Sequence, residues 1–367
     1  MDATADPLSA DLPPAAPLPV VALTLGDPAG IGPEIVARTL VDPALLGVAR
    51  PVAVGDAAAL RRGARACGLD LTMRPFASRA ADPDPDPTVV DILDTATVTD
   101  ADLDAAMPWG RVGAPAGVAA LAAIRRAVEA AETGLVDAIS TAPINKESIW
   151  AAGATQPGHT ELLGELTGAA HPDTMFVVAG LKIFFTTRHA SLRKALDQLT
   201  PARVDAAITA AYDALRAFGD DDAPVLAVAA VNPHGGEGGA FGDEEITTLA
   251  PAVERARARG LDVVGPIPAD AVFHQGLQGR YAGVLSHFHD QGHIAAKTFD
   301  FDGTISVTVG LPILRTSVDH GTAFDIAGTG TAAHASMREA VIAAARFAPA
   351  VPGLRARWGR GQGRRAG

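Results

Sequence analysis

Val20-Val21-Ala22-Leu23-Thr24-Leu25-Gly26-Asp27-Pro28-Ala29-Gly30-Ile31-Gly32-Pro33, running on through Glu34 to Leu40, decides the fold class. An apolar, β-prone run breaks at a Gly/Pro turn, and Pro33 then opens a stretch with helical spacing. The same alternation recurs along the chain. Strands are expected at residues 20–25, 51–54, 89–93, 136–140, 175–179, 183–186, 225–231, 282–285 and 305–309. Helices are expected at 33–40, 57–67, 115–132, 201–218, 243–259 and 337–347. Strands alternating with helices build an α/β fold with helices on both faces of a sheet. No repeat of ~20–50 residues interrupts the pattern, which argues against solenoids and propellers.

At 367 residues the chain is long enough for two domains and a large core. Hydrophobic residues make up 48% and charged residues 20%, the balance of a globular protein. A formal charge of −12 argues against nucleic acid as a partner, because nucleic-acid binders present a basic face. Cys67 is the one cysteine, which excludes an intrachain disulfide and cysteine-held zinc, so any metal must rest on His and carboxylates. Residues 1–19 lack the basic and apolar regions of a signal peptide, and no apolar run reaches the ~18 residues of a spanning helix. A cytoplasmic protein without a membrane partner is expected. Residues 1–18 and the Arg/Gly-rich 352–367 read as disordered, and the acidic Pro repeat at 82–87 reads as a surface loop.

Ligands of open α/β sheets sit beyond the carboxyl ends of strands, so the loops there carry the chemistry. Residues 26–33 have a superficial likeness to a dinucleotide fingerprint but miss its G-x-G-x-x-G spacing, and a tight turn is the better reading. Thr141 to Glu147 and Pro157-Gly158-His159-Thr160-Glu161 set hydroxyl, imidazole and ammonium groups beside helix starts, which suits a phosphate or carboxylate. Alternatively, Thr160 is only a helix cap. His189, His234 and His289 each follow a strand, and three imidazoles sharing a metal with open positions make a catalytic arrangement. His289 stands in Ser286-His287-Phe288-His289-Asp290-Gln291-Gly292-His293, where three imidazoles crowd together; a solvated polar loop is the bland alternative. Lys297 and Arg315 offer cations for a phosphate, or are surface charges.

GDPAGIGPE (26–34), TAPINKE (141–147), PGHTELL (157–163), NPHGGEGGAFGDEE (232–245), GPIPAD (265–270), HDQGH (289–293) and GLPILRTSVDHGTAFDIAG (310–328) together resemble the 4-hydroxythreonine-4-phosphate dehydrogenase family of pyridoxal phosphate (pyridoxine) biosynthesis. The resemblance runs from about residue 20 to 347. It leans to the paralogous branch whose substrates look like D-threonate or D-erythronate 4-phosphate. It implies an oxidoreductase that uses NAD or NADP and one divalent metal (zinc, cobalt, magnesium or manganese). The reaction implied oxidises the C3 hydroxyl of a 4-phosphorylated four-carbon acid and decarboxylates the β-keto product.

The fold implied is a two-domain α/β/α sandwich of the isocitrate and isopropylmalate dehydrogenase type, with a non-Rossmann cofactor site. Residues 19–140 with 311–351 would form one domain, and 141–310 a second that carries a homodimer interface. Carried over by motif, the metal ligands are His189, His234 and His289, with His289 supplied by the second subunit. Substrate contacts fall on His159, Thr160, Lys297, Arg315 and the position of Ser306. Cofactor contacts fall on His320, Gly321, Thr322, Ala323 and Asp325. Lys297, Asp270 and Asp290 are the candidates for proton transfer or support of the ligands. Two features depart from the family pattern: Ser306 stands where an Asn is usual, and His287 and His293 are not among its ligands. Rival readings are a same-fold dehydrogenase of an unphosphorylated cis-diol and a metal-binding relative without redox chemistry.

Overall fold

The structure, a computed structural model, describes residues 17–101, 103–219 and 223–359. The disorder expected for 1–18 therefore falls, up to residue 16, outside the described residues. Among the described residues twelve strands form one sheet: β1 (Val20–Thr24), β2 (Arg50–Gly55), β3 (Thr72–Pro75), β4 (Val89–Asp94), β5 (Ala138–Thr141), β6 (Asp173–Val178), β7 (Leu181–Phe185), β8 (Leu226–Ala229), β9 (Val263–Ile267), β10 (Gly283–Ser286), β11 (Ile305–Val309) and β12 (Leu314–Ser317). Their order across the sheet is β3-β4-β2-β1-β5-β12-β11-β6-β7-β10-β8-β9. All nine expected strands are present, within a few residues at their ends. β3, β9 and β12 were not anticipated; each is short and carries prolines or polar residues that mask strand periodicity.

The sheet has two blocks. β3, β4, β2, β1, β5 and β12 pair in parallel, and so do β7, β10, β8 and β9. Between them β11 lies antiparallel to both β12 and β6, and β6 antiparallel to β7. The two blocks therefore point in opposite directions. The first block takes its strands from residues 20–141 together with β12 at 314–317, the second takes its strands from residues 181–286, and the antiparallel join is where they meet.

The faces of this sheet differ. On one, a single apolar cluster runs through Leu23, Met175, Val307, Leu314 and Leu285 and is covered by the helices Gly32–Leu40, Pro201–Phe218 and Ala335–Phe347. On the other face the core is split. Val20, Val54 and Ile139 pack under the helix Ala114–Glu132, whereas Ile183, Phe185 and Val284 pack under the helices Ala269–Leu277 and His289–Phe299. Between these clusters, side chains of β12, β11 and β6 project into an uncovered gap. Because strand side chains alternate, one face of the join is apolar (Leu314, Val307, Met175) and the other polar (Arg315, Ser306, Thr174).

The expected helices are present, with one refinement: 243–259 is a π-type turn, Glu245–Leu249, leading into an α-helix, Ala250–Ala258. Pro251 has no N–H to donate back along the helix, which accounts for the irregular turn beside it. Among the described residues no helix is long and apolar enough to cross a membrane. The loop at 82–87 is exposed apart from half-buried Asp84.

The tail expectation needs correction. Residues expected to be disordered from 352 onward begin as a helix, Val351–Trp358, and 360–367 lie outside the described residues. Leu354 is fully buried, Arg355 donates to the Ala131 carbonyl at 2.6 Å, and Arg357 pairs with Asp213 at 2.5 Å. Only Val351 and Leu354 of this short helix enter the core, too weak an apolar signal to read among arginines. Leu354→Ala is expected to lower stability by about 2–5 kcal/mol, seen as an earlier denaturant midpoint with little change in slope.

Candidate active site

The gap over the join is a pocket of about 540 Å³. It receives His159, Thr160, His189, His289, Lys297, Ser306, Arg315, His320 and Gly321, so most of the residues singled out in the sequence converge here. The pocket lies over the sheet's face where the blocks meet, rather than at one end of the strands. It is reached by loops from both blocks because those blocks point in opposite directions.

Arg315 forms its floor. The side chain is 4% exposed; Nε and Nη2 donate to Thr141 Oγ1 at 3.1 and 2.7 Å, and Nη1 donates to Thr308 Oγ1 at 3.0 Å. No carboxylate pairs with it among the described residues. Burial pulls its pKa down to about 9, partly opposed by Asp319, so at neutral pH it is still a cation. His159 begins the helix His159–Thr167, and its buried Nε2 has no hydrogen-bond partner. Burial first, and then Arg315, hold this imidazole well below its ordinary pKa, hence neutral. Thr160 lies inside the first turn of that helix, whose N-cap is Gly158, so the capping alternative is not what the structure contains.

Lys297 Nζ meets Asp319 Oδ2 at 2.6 Å and donates to the Asp319 carbonyl at 3.1 Å. Asp319, quoted within a motif but given no role from the sequence, is thus a pocket residue that pattern reading missed. The charged lining is Lys146, Arg188, Lys297 and Arg315 against Glu161 and Asp319, a surplus of positive charge.

Three imidazoles of the 286–293 stretch part company. The helix His289–Phe299 starts at the cluster, and helical spacing puts His289 and His293, four apart, on one face. Their rings stack with centroids 3.5 Å apart and 12° between planes, and His293 Nδ1 donates to the His289 carbonyl at 2.7 Å. His287 turns into the core instead. Its Nε2 donates to the Ala229 carbonyl at 2.7 Å, its Nδ1 accepts from the Thr186 hydroxyl at 3.1 Å, and burial depresses its pKa to about 4. It ties β8, β10 and the end of β7 together.

His189 faces His289 within one chain, with ring centroids 6.2 Å apart. Burial and then Arg188 lower the His189 pKa, which favours the neutral form that a metal needs. Asp290 is exposed and accepts from His289 Nδ1 at 2.7 Å. His234 stands apart, its side chain 67% exposed and its Nδ1 2.8 Å from Glu237 Oε1. The resemblance implied that His289 would cross from a second subunit; His289 instead shares a pocket with His159, His189 and Arg315 of its own chain, and the separated imidazole is His234. Among the described residues no three His, Cys, Asp or Glu side chains are close enough to hold a metal.

Other expected positions lie outside the pocket lining. Asp270 sits in the first turn of the helix Ala269–Leu277. Thr322, Ala323 and Asp325 continue the loop whose start, His320 and Gly321, reaches the pocket. That loop is tied to residues 26–34: Ile31 N–H donates to the Thr322 carbonyl at 3.0 Å, and the buried Glu34 carboxylate accepts from Gly328 and Gly330 N–H at 2.5 and 2.8 Å. The turn reading of 26–33 holds. Gly26 has φ of 65°, and a Cβ there would meet the Pro143 carbonyl at 2.3 Å.

Comparison with known proteins bears on the family and the fold. Residues 47–344 match the family model of the pyridoxal phosphate biosynthetic protein PdxA. A protein of Cutibacterium acnes named "Putative D-threonate 4-phosphate dehydrogenase" is 51% identical over 92% of this chain and 96% of its own. The crystal structure of 4-hydroxythreonine-4-phosphate dehydrogenase from Klebsiella pneumoniae superposes with a TM-score of 0.82 at 42% identity, covering 91% of this chain and 99% of that one. A terephthalate 1,2-cis-dihydrodiol dehydrogenase from Burkholderia xenovorans superposes with a TM-score of 0.60 at 33% identity, covering 89% and 97%. The chain is an oxidoreductase of the dehydrogenase kind, and it belongs to the PdxA family.

Proposed function

We propose that this chain oxidises the C3 hydroxyl of a 4-phosphorylated four-carbon acid (D-threonate, D-erythronate or 4-hydroxythreonine 4-phosphate), with NAD or NADP as hydride acceptor and decarboxylation of the β-keto acid. The observation that carries this reading is Arg315. A buried guanidinium without a carboxylate is costly unless an anion is to meet it, and the pocket around it has spare positive charge. Arg315, His159 and Thr160 would hold the phosphate and carboxylate. Lys297, kept in place by Asp319, would present its ammonium to the reacting end.

The nicotinamide would take the hydride, and a divalent metal would supply positive charge to the reacting oxygens. The donor set suits zinc, cobalt, magnesium or manganese only in part within one chain. His189 and His289 supply two imidazoles, and His234 of a second copy would complete the set. Asp290 would keep the His289 ring oriented through Nδ1, leaving Nε2 to face a ligand. Asp270 lies outside the pocket of its own chain, and no step falls to it. The segment from His320 to Asp325 would receive the cofactor beside the substrate.

Exposed apolar side chains support a homodimer. Exposed Leu192 and half-buried Phe288 flank His189 and His289, while exposed Phe241 and Ile246 flank the His234 turn, so docking of a second copy would bury both groups. A cytoplasmic setting completes the reading. The likeness to a dihydrodiol dehydrogenase makes an unphosphorylated cis-diol the second reading.

NAD(P)H formation with the three 4-phosphorylated acids, each with several divalent metals, tests the proposal; activity only with unphosphorylated cis-diols would transfer it to the second reading. Arg315→Met should weaken binding of inorganic phosphate by at least about tenfold in calorimetry while leaving the fold intact, as loss of charged hydrogen bonds requires. His234→Ala should abolish most metal binding and turnover, and full activity of that variant in chelator-treated buffer would remove His234 from the ligand set.

A further inference from the structure

We infer that Thr141 is the positioning residue for Arg315 and that Ser317 sets the direction of its hydrogen bonds, so that a one-way chain of hydroxyls holds the guanidinium ready for an anion. The inference rests on the functional reading above, which makes Arg315 the anion-binding group. Thr141 ends β5 and Ser317 ends β12, and the two stand opposite each other in the parallel register. Thr141 and Thr308 are 0% and 1% exposed and lie outside the pocket lining, which includes Arg315 and Ser317. Thr141 can therefore reach a ligand only through the arginine.

The direction of the chain follows from which groups can only donate and which can only accept. A guanidinium has N–H donors and no acceptor, so Thr141 Oγ1 must receive Nε and Nη2, at 3.1 and 2.7 Å, on its lone pairs. Its own proton is then left for Ser317 Oγ at 3.1 Å. Ser317 in turn donates to a backbone carbonyl, that of Val318 at 2.9 Å or of Thr141 at 3.3 Å, and a carbonyl can only accept. Both hydroxyl protons are thus turned away from the cation, and the Thr141 lone pairs toward it. On the other side Thr308 Oγ1 receives one Nη1 proton at 3.0 Å. These bonds leave one N–H on each of Nη1 and Nη2, enough for two oxygens of a single phosphate or carboxylate. An acidic residue in place of Thr141 would hold the guanidinium as firmly but would cancel the charge that the anion is to meet.

Calorimetric binding of inorganic phosphate to the full chain tests the inference in a cycle with Arg315→Met. Thr141→Val keeps the branched shape in the strand and removes the acceptor, and it should weaken phosphate about tenfold, the effect of losing hydrogen bonds to a charged group. Thr141→Ser keeps the hydroxyl and should bind within about twofold of the wild type. Ser317→Ala, which leaves the Thr141 proton without its acceptor, should cost about threefold. In the Arg315→Met background neither Thr141→Val nor Ser317→Ala should weaken phosphate further, since a residue that acts through another has no effect once that other is gone. A packing defect would instead persist in that background. Wild-type affinity in Thr141→Val, a loss in Thr141→Ser equal to that in Thr141→Val, or an undiminished loss beside Arg315→Met overturns the inference while leaving the anion site in place. If phosphate does not bind the wild type, or binds Arg315→Met as tightly, the reading of Arg315 falls and the inference with it.

Discussion

A guanidinium buried in the face of a β-sheet without a carboxylate is the constraint on which the rest of the site depends. Arg315 is held by the hydroxyls of Thr141 and Thr308, two neutral groups on flanking strands, so its charge is positioned but not cancelled. Such a group can persist only where the fold supplies compensating stability elsewhere, and the large apolar cluster on the opposite face of the same strands does so. Leu314, Val307 and Met175 hold the join from behind while Arg315, Ser306 and Thr174 face the pocket. Strand alternation thus separates the stabilising and the ligand-facing halves of the same three strands.

The reversal of strand direction at that join explains how distant segments meet. Were the sheet parallel throughout, the loops after its strands would gather along one end. Because the blocks point in opposite directions, the loop after β5 and the loops after β7 and β10 reach the same gap from two sides. The helix starting at His289 and the helix starting at His159 then line one pocket.

Backbone strain marks the candidate ligands. His189 and His234 have φ of 41° and 52°, in the left-handed region that costs a non-glycine residue about 1–3 kcal/mol. Around His234 the conformation is sustained: Gly235, Gly236, Glu237, Gly238 and Gly239 have φ of 69°, 80°, 42°, 68° and 100°, so 234–239 form a left-handed turn. The four glycines make such a turn affordable, and Glu245 anchors its base by accepting from the Val231 and Asn232 N–H groups. The turn lifts His234 away from its own chain's pocket and fixes its ring against Glu237.

Much of this was legible in the sequence, and the reasons for the gaps are physical. Apolar runs ending in Gly/Pro turns determine nine of the strands and the α/β class, because burial periodicity is a local property. The motifs likewise single out His159, Arg315, Lys297, His189 and His289, which the structure gathers in one pocket. Local pattern did not reveal β12, whose Leu314-Arg315-Thr316-Ser317 reads as polar, since a strand that lines a site must carry polar side chains on its buried face. It did not separate His287 from His289 either: the end of β10 turns one imidazole into the core, and the following helix turns the other out. Nor did it reveal the packed helix at 351–358 or the Lys297–Asp319 pair, whose partners lie far away in the chain or across a loop. The sequence by itself determined most of the strands and helices and which residues are candidates for the site. Only the tertiary structure decided which of those residues share a pocket, because that depends on strand order and direction, set by long-range burial rather than by any local run.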